Sequence, residues 1–101
     1  MTATIIRYLT KPESTGRNTQ LVEAVFRELA AAAPDGVHYA VFRGEDGSFF
    51  HLFAHDGEEA GDKLTSLPAF EAFRTGGAEC RATAPERTEL TVIGNYGMLA
   101  E

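Results

Sequence analysis

Residues 37–55 constrain the fold more than any other stretch. Two runs rich in β-branched and aromatic residues, Val37 to about Arg43 and about Ser48 to His55, flank Gly44-Glu45-Asp46-Gly47. Asp-Gly between such runs is a strong hairpin signal. In the later strand, alternation sends Phe49, His51, Phe53 and His55 to one side and Phe50, Leu52 and Ala54 to the other. In the earlier strand, Val37, Tyr39 and Val41 face opposite to His38, Ala40 and Phe42. Neither face is polar. An antiparallel sheet with helices on one side normally turns a polar face to water. Something must therefore cover the second face, and a second copy of the sheet is the simplest candidate. The pattern predicts a two-fold homodimer.

The flanking chain supplies two more strands and two helices. Residues 3–10 read as a strand, and Lys11-Pro12-Glu13-Ser14-Thr15-Gly16 as a loop. A helix follows from about Asn18, its expected N-cap, to Ala33, with Leu21, Val22, Val25, Phe26 and Leu29 forming one apolar stripe. Pro34-Asp35-Gly36 ends it. The segment Asp56-Gly57-Glu58-Glu59-Ala60-Gly61-Asp62 reads as a solvated acidic loop without EF-hand spacing. A second helix starts near Ser66, with Pro68 in its first turn and Leu67, Phe70 and Phe73 on one face. It ends near Gly76-Gly77 or one turn later, by Arg81. A last strand runs from Thr88 to about Tyr96. The order βαββαβ predicts a ferredoxin-like α+β fold, an antiparallel sheet with two helices on one face.

The 101 residues allow one domain, spanning 1–101. Nine Lys+Arg against fifteen Asp+Glu leave a net charge of −6, which argues against a nucleic-acid partner and against a polybasic membrane anchor. The first residues carry neither a basic n-region nor a long apolar run, so no membrane span is expected. Cys80 is the single cysteine, which excludes an internal disulfide and fits a reduced, cytoplasmic setting. No nucleophile motif surrounds it.

Three segments carry a family resemblance over nearly the whole chain. They are Leu9-Thr10-Lys11-Pro12, Pro34-Asp35-Gly36-Val37-His38-Tyr39 and Ser66-Leu67-Pro68-Ala69-Phe70-Glu71-Ala72-Phe73. The last resembles the Ser-Pro-x-Phe-x-x-Phe stretch at the start of the second helix in the antibiotic-biosynthesis-monooxygenase-like family. The resemblance implies a dimeric α+β barrel with a small-molecule pocket between sheet and helices in each subunit. It also implies, for many members, oxidation of phenolic or polycyclic aromatic compounds by dioxygen without a cofactor; others degrade haem. The cofactor-free oxygenases typically carry an Asn and a Trp four residues apart on the third strand. This chain has no Trp, and His51 and His55 stand at those positions. The haem-degrading members' Asn position on strand 1 falls at Ile5, and their His on helix 2 has no counterpart here.

A two- or four-residue loop centred on Asp46-Gly47 would pair Phe42 with His51, Ala40 with Phe53 and His38 with His55. All three histidines would then share one face with Phe42, Phe49 and Phe53; an odd-length loop would reverse this. His51 and His55 stand ~13 Å apart along the strand, too far to share a metal. No third ligand accompanies His38 and His55, so no metal is expected. A neutral imidazole can instead take a proton from a phenol and prepare an electron-rich phenolate for reaction with oxygen. On this reading His51 or His55 is the base and Arg7 holds the oxyanion. His38, Phe42, Phe49, Phe53, Phe70 and Phe73 line the substrate pocket. The expected activity is that of an oxidoreductase, a cofactor-independent monooxygenase acting on a small aromatic molecule. The alternative is a non-catalytic small-ligand-binding protein of the same fold, which the missing Trp favours.

Overall fold

The computed structural model describes residues 2–55 and 57–98. Strand β1 spans Thr2–Leu9, and a 3-10 turn at Pro12–Ser14 leads into helix α1, Thr15–Ala32. Strands β2 (His38–Arg43) and β3 (Ser48–His55) form the hairpin. Helices α2 (Glu58–Thr65) and α3 (Pro68–Cys80) then precede β4 (Glu86–Thr91). The strands make one antiparallel sheet in the order β2-β3-β1-β4, so both crossovers carry helix. This is a ferredoxin-like α+β fold. The core joins Tyr8 and Phe49 of the sheet to Val22 and Val25 of α1, Leu64 of α2, and Ala69 and Phe73 of α3.

The hairpin loop has odd length, and this corrects the expected pairing. Gly44 N–H donates to Ser48 O at 2.8 Å, and Gly47 N–H donates to Gly44 O at 3.1 Å. Gly47 sits at φ +88°, in the left-handed region that glycine enters without a steric penalty. A type I turn followed by such a residue is the usual three-residue hairpin loop. Asp46 Oδ1 accepts from Ser48 N–H at 3.0 Å, and that bond holds the Asp46 carboxyl below the usual carboxylate range. The ladder therefore pairs His38 with Ala54, Ala40 with Leu52, Phe42 with Phe50 and Arg43 with Phe49. One residue of slip turns His38 and Phe42 away from the helices and leaves His51 opposite Val41.

Three further expectations need correction. Helix α1 begins at Thr15, so Asn18 is no cap; it lies in the second turn, fully buried. The acidic stretch forms a third helix where a loop was expected, from Glu58, with Asp56 outside the described residues. Ala60 and Leu64 explain it: four residues apart, they bury one face while Glu59 and Asp62 stay exposed. Strand β4 ends at Thr91, and Ile93 and Tyr96 beyond it lie almost wholly exposed.

Helix α3 runs through Gly76-Gly77 to Cys80. A Cβ at Gly77 would stand 3.3 Å from the Phe73 ring and 3.4 Å from Asn18 Oδ1, so glycine here lets α3 approach α1 closely. At its other end, Ala69 N–H donates to the Glu28 carboxylate at 2.9 Å. A negative charge at a helix N-terminus is favourable, and this one ties α1 to α3.

Candidate functional site

Strand alternation sorts β1 and β3 into an inner and an outer set. Thr4, Ile6 and Tyr8 pair with Phe53, His51 and Phe49 on the helix side. Ala3, Ile5 and Arg7 pair with Ala54, Leu52 and Phe50 on the other. Between the inner set and helices α2 and α3 lies a cavity of ≈ 360 Å³, the size of a small-molecule pocket. Ile6, Phe53, Phe70 and Phe73 supply apolar walls. Tyr39, His51 and His55 bring polar atoms, with Arg81 and Arg87 also on the lining.

The most ordered part is a chain of four polar side chains. Asn18 Nδ2 donates to Tyr8 Oη at 2.9 Å. Tyr8 Oη lies 2.9 Å from His51 Nε2, and Tyr39 Oη lies 2.7 Å from His51 Nδ1. Aromatic packing fixes each ring. Tyr8 stacks on Phe49 at 5.6 Å between centroids, Tyr39 stacks on Phe26 at 5.1 Å, and the His51 ring stands 5.2 Å from that of Phe73. His51 is only 6% exposed. Burial disfavours its charged form and pulls its pKa down to about 4. Burial likewise pushes Tyr8 up to about 12, against the lowering effect of the Asn18 hydrogen bond, and raises Tyr39 further. At neutral pH all three groups are uncharged.

His55 differs. It is half-buried, its ring lies 5.2 Å from that of Phe53, and its Nδ1 is buried with no hydrogen-bond partner among the described residues. At the same end, Thr4 Oγ1 donates to Glu89 at 3.0 Å, and Arg87 Nε donates to the same carboxylate at 3.0 Å. Those bonds, Arg87 first, hold the Glu89 carboxyl below the usual carboxylate range. Arg81 sits with its guanidinium carbon 5.9 Å from the centroid of the Tyr8 ring.

The structure brings together His51, His55, Phe53, Phe70 and Phe73 on one cavity. Phe49 does not touch the cavity; it lies behind Tyr8, 1% exposed. Arg7, His38 and Phe42 stand on the opposite face of the sheet. Arg7 shares the parity of Ile5, and the odd hairpin loop displaces the other two. The expected oxyanion holder is therefore outside the cavity, and Arg81 and Arg87 are the guanidinium groups that line it. Sequence reasoning made Asn18 a helix cap and Tyr8 and Tyr39 core or interface aromatics, and so left all three out of the site. A signal for Asn18 existed: it stands four residues before Val22 and seven before Val25, a polar side chain on the apolar stripe. Among the described residues no group of three or more His, Cys, Asp or Glu side chains is placed to hold a metal ion.

No family model matches the chain, and no curated protein sequence does. Solved structures do match. A candidate antibiotic biosynthesis monooxygenase of Bacteroides thetaiotaomicron superposes with a TM-score of 0.81 at 14% identity, covering 99% of this chain and 95% of its own. One from Nitrosomonas europaea gives 0.78 at 12% identity, covering 93% of this chain and 100% of its own. A further antibiotic biosynthesis monooxygenase gives 0.76 at 14% identity over 93% and 100%. The fold is shared with these proteins. At such identity the likeness carries the architecture, and the chemistry must be argued from this chain's own residues.

Proposed function

We propose that the chain is a homodimeric, cofactor-independent monooxygenase acting on a small phenol- or quinol-like molecule held between the sheet and α3. The observation that carries this reading is the cavity itself: flat aromatic walls around a few polar atoms. His51 is not the base on this reading, since both its nitrogens are committed to tyrosines and it resists protonation. His55 takes that role, with Arg81 beside the developing oxyanion. The proton moves from the substrate hydroxyl to His55. Dioxygen adds to the electron-rich ring carbon; one oxygen atom stays as a carbonyl, and the other leaves as water with the two hydrogens the substrate gives up. A phenol with a free para position thus becomes a quinone, and the four electrons lost by the ring reduce one dioxygen.

The homodimer is supported by the outer face. Ile5, Ala40, Phe50 and Leu52 are only half-buried there, and Phe42 is 49% exposed. A contiguous apolar patch of this kind marks an interaction surface.

Oxygen uptake with a panel of quinols and polycyclic phenols tests the activity. Turnover is expected, with His55→Ala slowing it at least about a hundredfold. No uptake across the panel would sink the oxygenase. The commitment of both His51 nitrogens favours one second reading, a small-aromatic-binding protein without turnover; it predicts binding of the same panel and no oxygen consumption.

A further inference from the structure

We infer that Tyr39 donates its hydroxyl hydrogen to the ligand, so that the cavity selects aromatic molecules bearing an acceptor oxygen, and that Asn18, Tyr8 and His51 fix the direction of that donation. The inference rests on reading the cavity as an aromatic-ligand pocket and is independent of turnover.

Counting protons along the chain gives the direction. Asn18 is fully buried in the second turn of α1, with Nδ2 toward Tyr8 and Oδ1 without a partner among the described residues. Turning the amide over would leave both Nδ2 hydrogens unmet, where the present orientation leaves one of them and the Oδ1 acceptor, and orphaned buried donors are the rarer and worse outcome. Tyr8 Oη therefore accepts from Asn18. Its own hydrogen then has one acceptor within reach, His51 Nε2 at 2.9 Å. Were Nε2 the protonated nitrogen, it would donate to Tyr8 and strand the Tyr8 hydrogen in the core, because Tyr8 is 3% exposed. Nε2 is thus the lone pair.

A neutral imidazole that accepts at Nε2 carries its hydrogen on Nδ1. Nδ1–H then donates to Tyr39 Oη at 2.7 Å. The Tyr39 hydrogen is left over, and no acceptor for it stands among the described residues. Tyr39 and His51 both line the cavity. Burial keeps both phenols protonated across neutral pH. The chain therefore runs one way, from a buried amide to a hydroxyl that needs an acceptor, and the ligand is the available one. A carbonyl or phenolate oxygen suits it; a hydrocarbon leaves it unmet.

The test uses 1-indanone and indane, which share a ring skeleton and differ by one acceptor oxygen. On the intact protein the ketone should bind about fivefold tighter than its size alone predicts from indane, and its bound carbonyl stretch should move to lower frequency. Tyr39→Phe, which keeps the ring stacked on Phe26, should remove both the preference and the shift while indane binding stays unchanged. Equal binding of the two probes to the unaltered protein would overturn the donor role and leave the aromatic pocket standing. Failure of both to bind would remove the aromatic pocket, and the ligand claim with it. Nitrogen NMR decides the relay without any ligand: His51 should appear as the single Nδ1–H tautomer, and as a mixture in Tyr8→Phe. An Nε2–H tautomer in the unaltered protein would overturn the direction argued here, and an unchanged tautomer in Tyr8→Phe would overturn the positioning role of Tyr8.

Discussion

The two faces of β3 put nearly the same residue types to opposite uses. The inner face carries Phe49, His51, Phe53 and His55 against helices; the outer carries Phe50 and Leu52, only half-buried, and Ala54, fully buried. Inside, each large ring has a packing partner, and the buried histidine has both nitrogens hydrogen-bonded. Outside, Phe42 and its neighbours have no covering element among the described residues. An apolar face is thus either the floor of a folded core or an interface in waiting, and the helices decide which.

Truncation should separate the faces most sharply. Phe49→Ala removes a ring that is 1% exposed and supports Tyr8, and should cost about 3–5 kcal/mol in denaturant unfolding. Phe42→Ala on the other face should cost under about 1 kcal/mol of monomer stability. Equal losses would erase the contrast.

The next effect is a pH dependence confined to the inner face. His51 has its pKa lowered in the fold, from 6.5 to about 4. The unfolded chain therefore binds a proton that the native state refuses, and stability falls as pH drops from about 6.5 toward 4. The linked loss is about 3 kcal/mol at most, because each pKa unit is worth about 1.4 kcal/mol. Unfolding curves of His51→Gln should be flatter than those of the parent across that window. A parallel slope would mean that His51 titrates normally in the native state.

The outer face should answer to charge instead. Leu52→Lys places an ammonium at the centre of the apolar patch, and in sedimentation it should weaken the proposed dimer at least tenfold, about 1.4 kcal/mol. A monomeric parent at micromolar concentration would end the dimer proposal and leave the patch to another partner.

The smallest expected effect lies away from both faces and serves as a control. Ala33 ends α1 at φ +44°, its N–H donating to Leu29 O at 2.7 Å. Left-handed backbone costs a residue with a Cβ roughly 1–2 kcal/mol, and glycine avoids that at some loss of chain entropy. Ala33→Gly should raise the unfolding midpoint by an amount equivalent to about 0.5–1 kcal/mol, with neither the pH slope nor the oligomeric state altered.

Much of the fold was legible. Strand β3 has the bounds expected of it, because Gly47 and the alternation of Phe, His and Leu mark both ends. Helix α2 was not legible, since Gly57, Gly61 and four acidic residues in the stretch 56–62 mask the Ala60/Leu64 pair that docks it. The site was read in part. His51, His55, Phe53, Phe70 and Phe73 share a cavity because strand parity and helical spacing are local properties. Arg7, His38 and Phe42 were misplaced because their faces depend on register and on which side the helices take.

The amino-acid sequence by itself determined the order of the four strands and of helices α1 and α3, the single antiparallel sheet and the two apolar faces, all of which follow from residue periodicity over a few positions. The tertiary structure decided the rest. One extra residue at Gly47 set the β2–β3 register, and the close approach of α1 to the sheet put Asn18 against Tyr8. Asn18 and Tyr8 stand 10 positions apart and Tyr8 and His51 43 apart, and a periodicity carries no information about which distant atoms will meet.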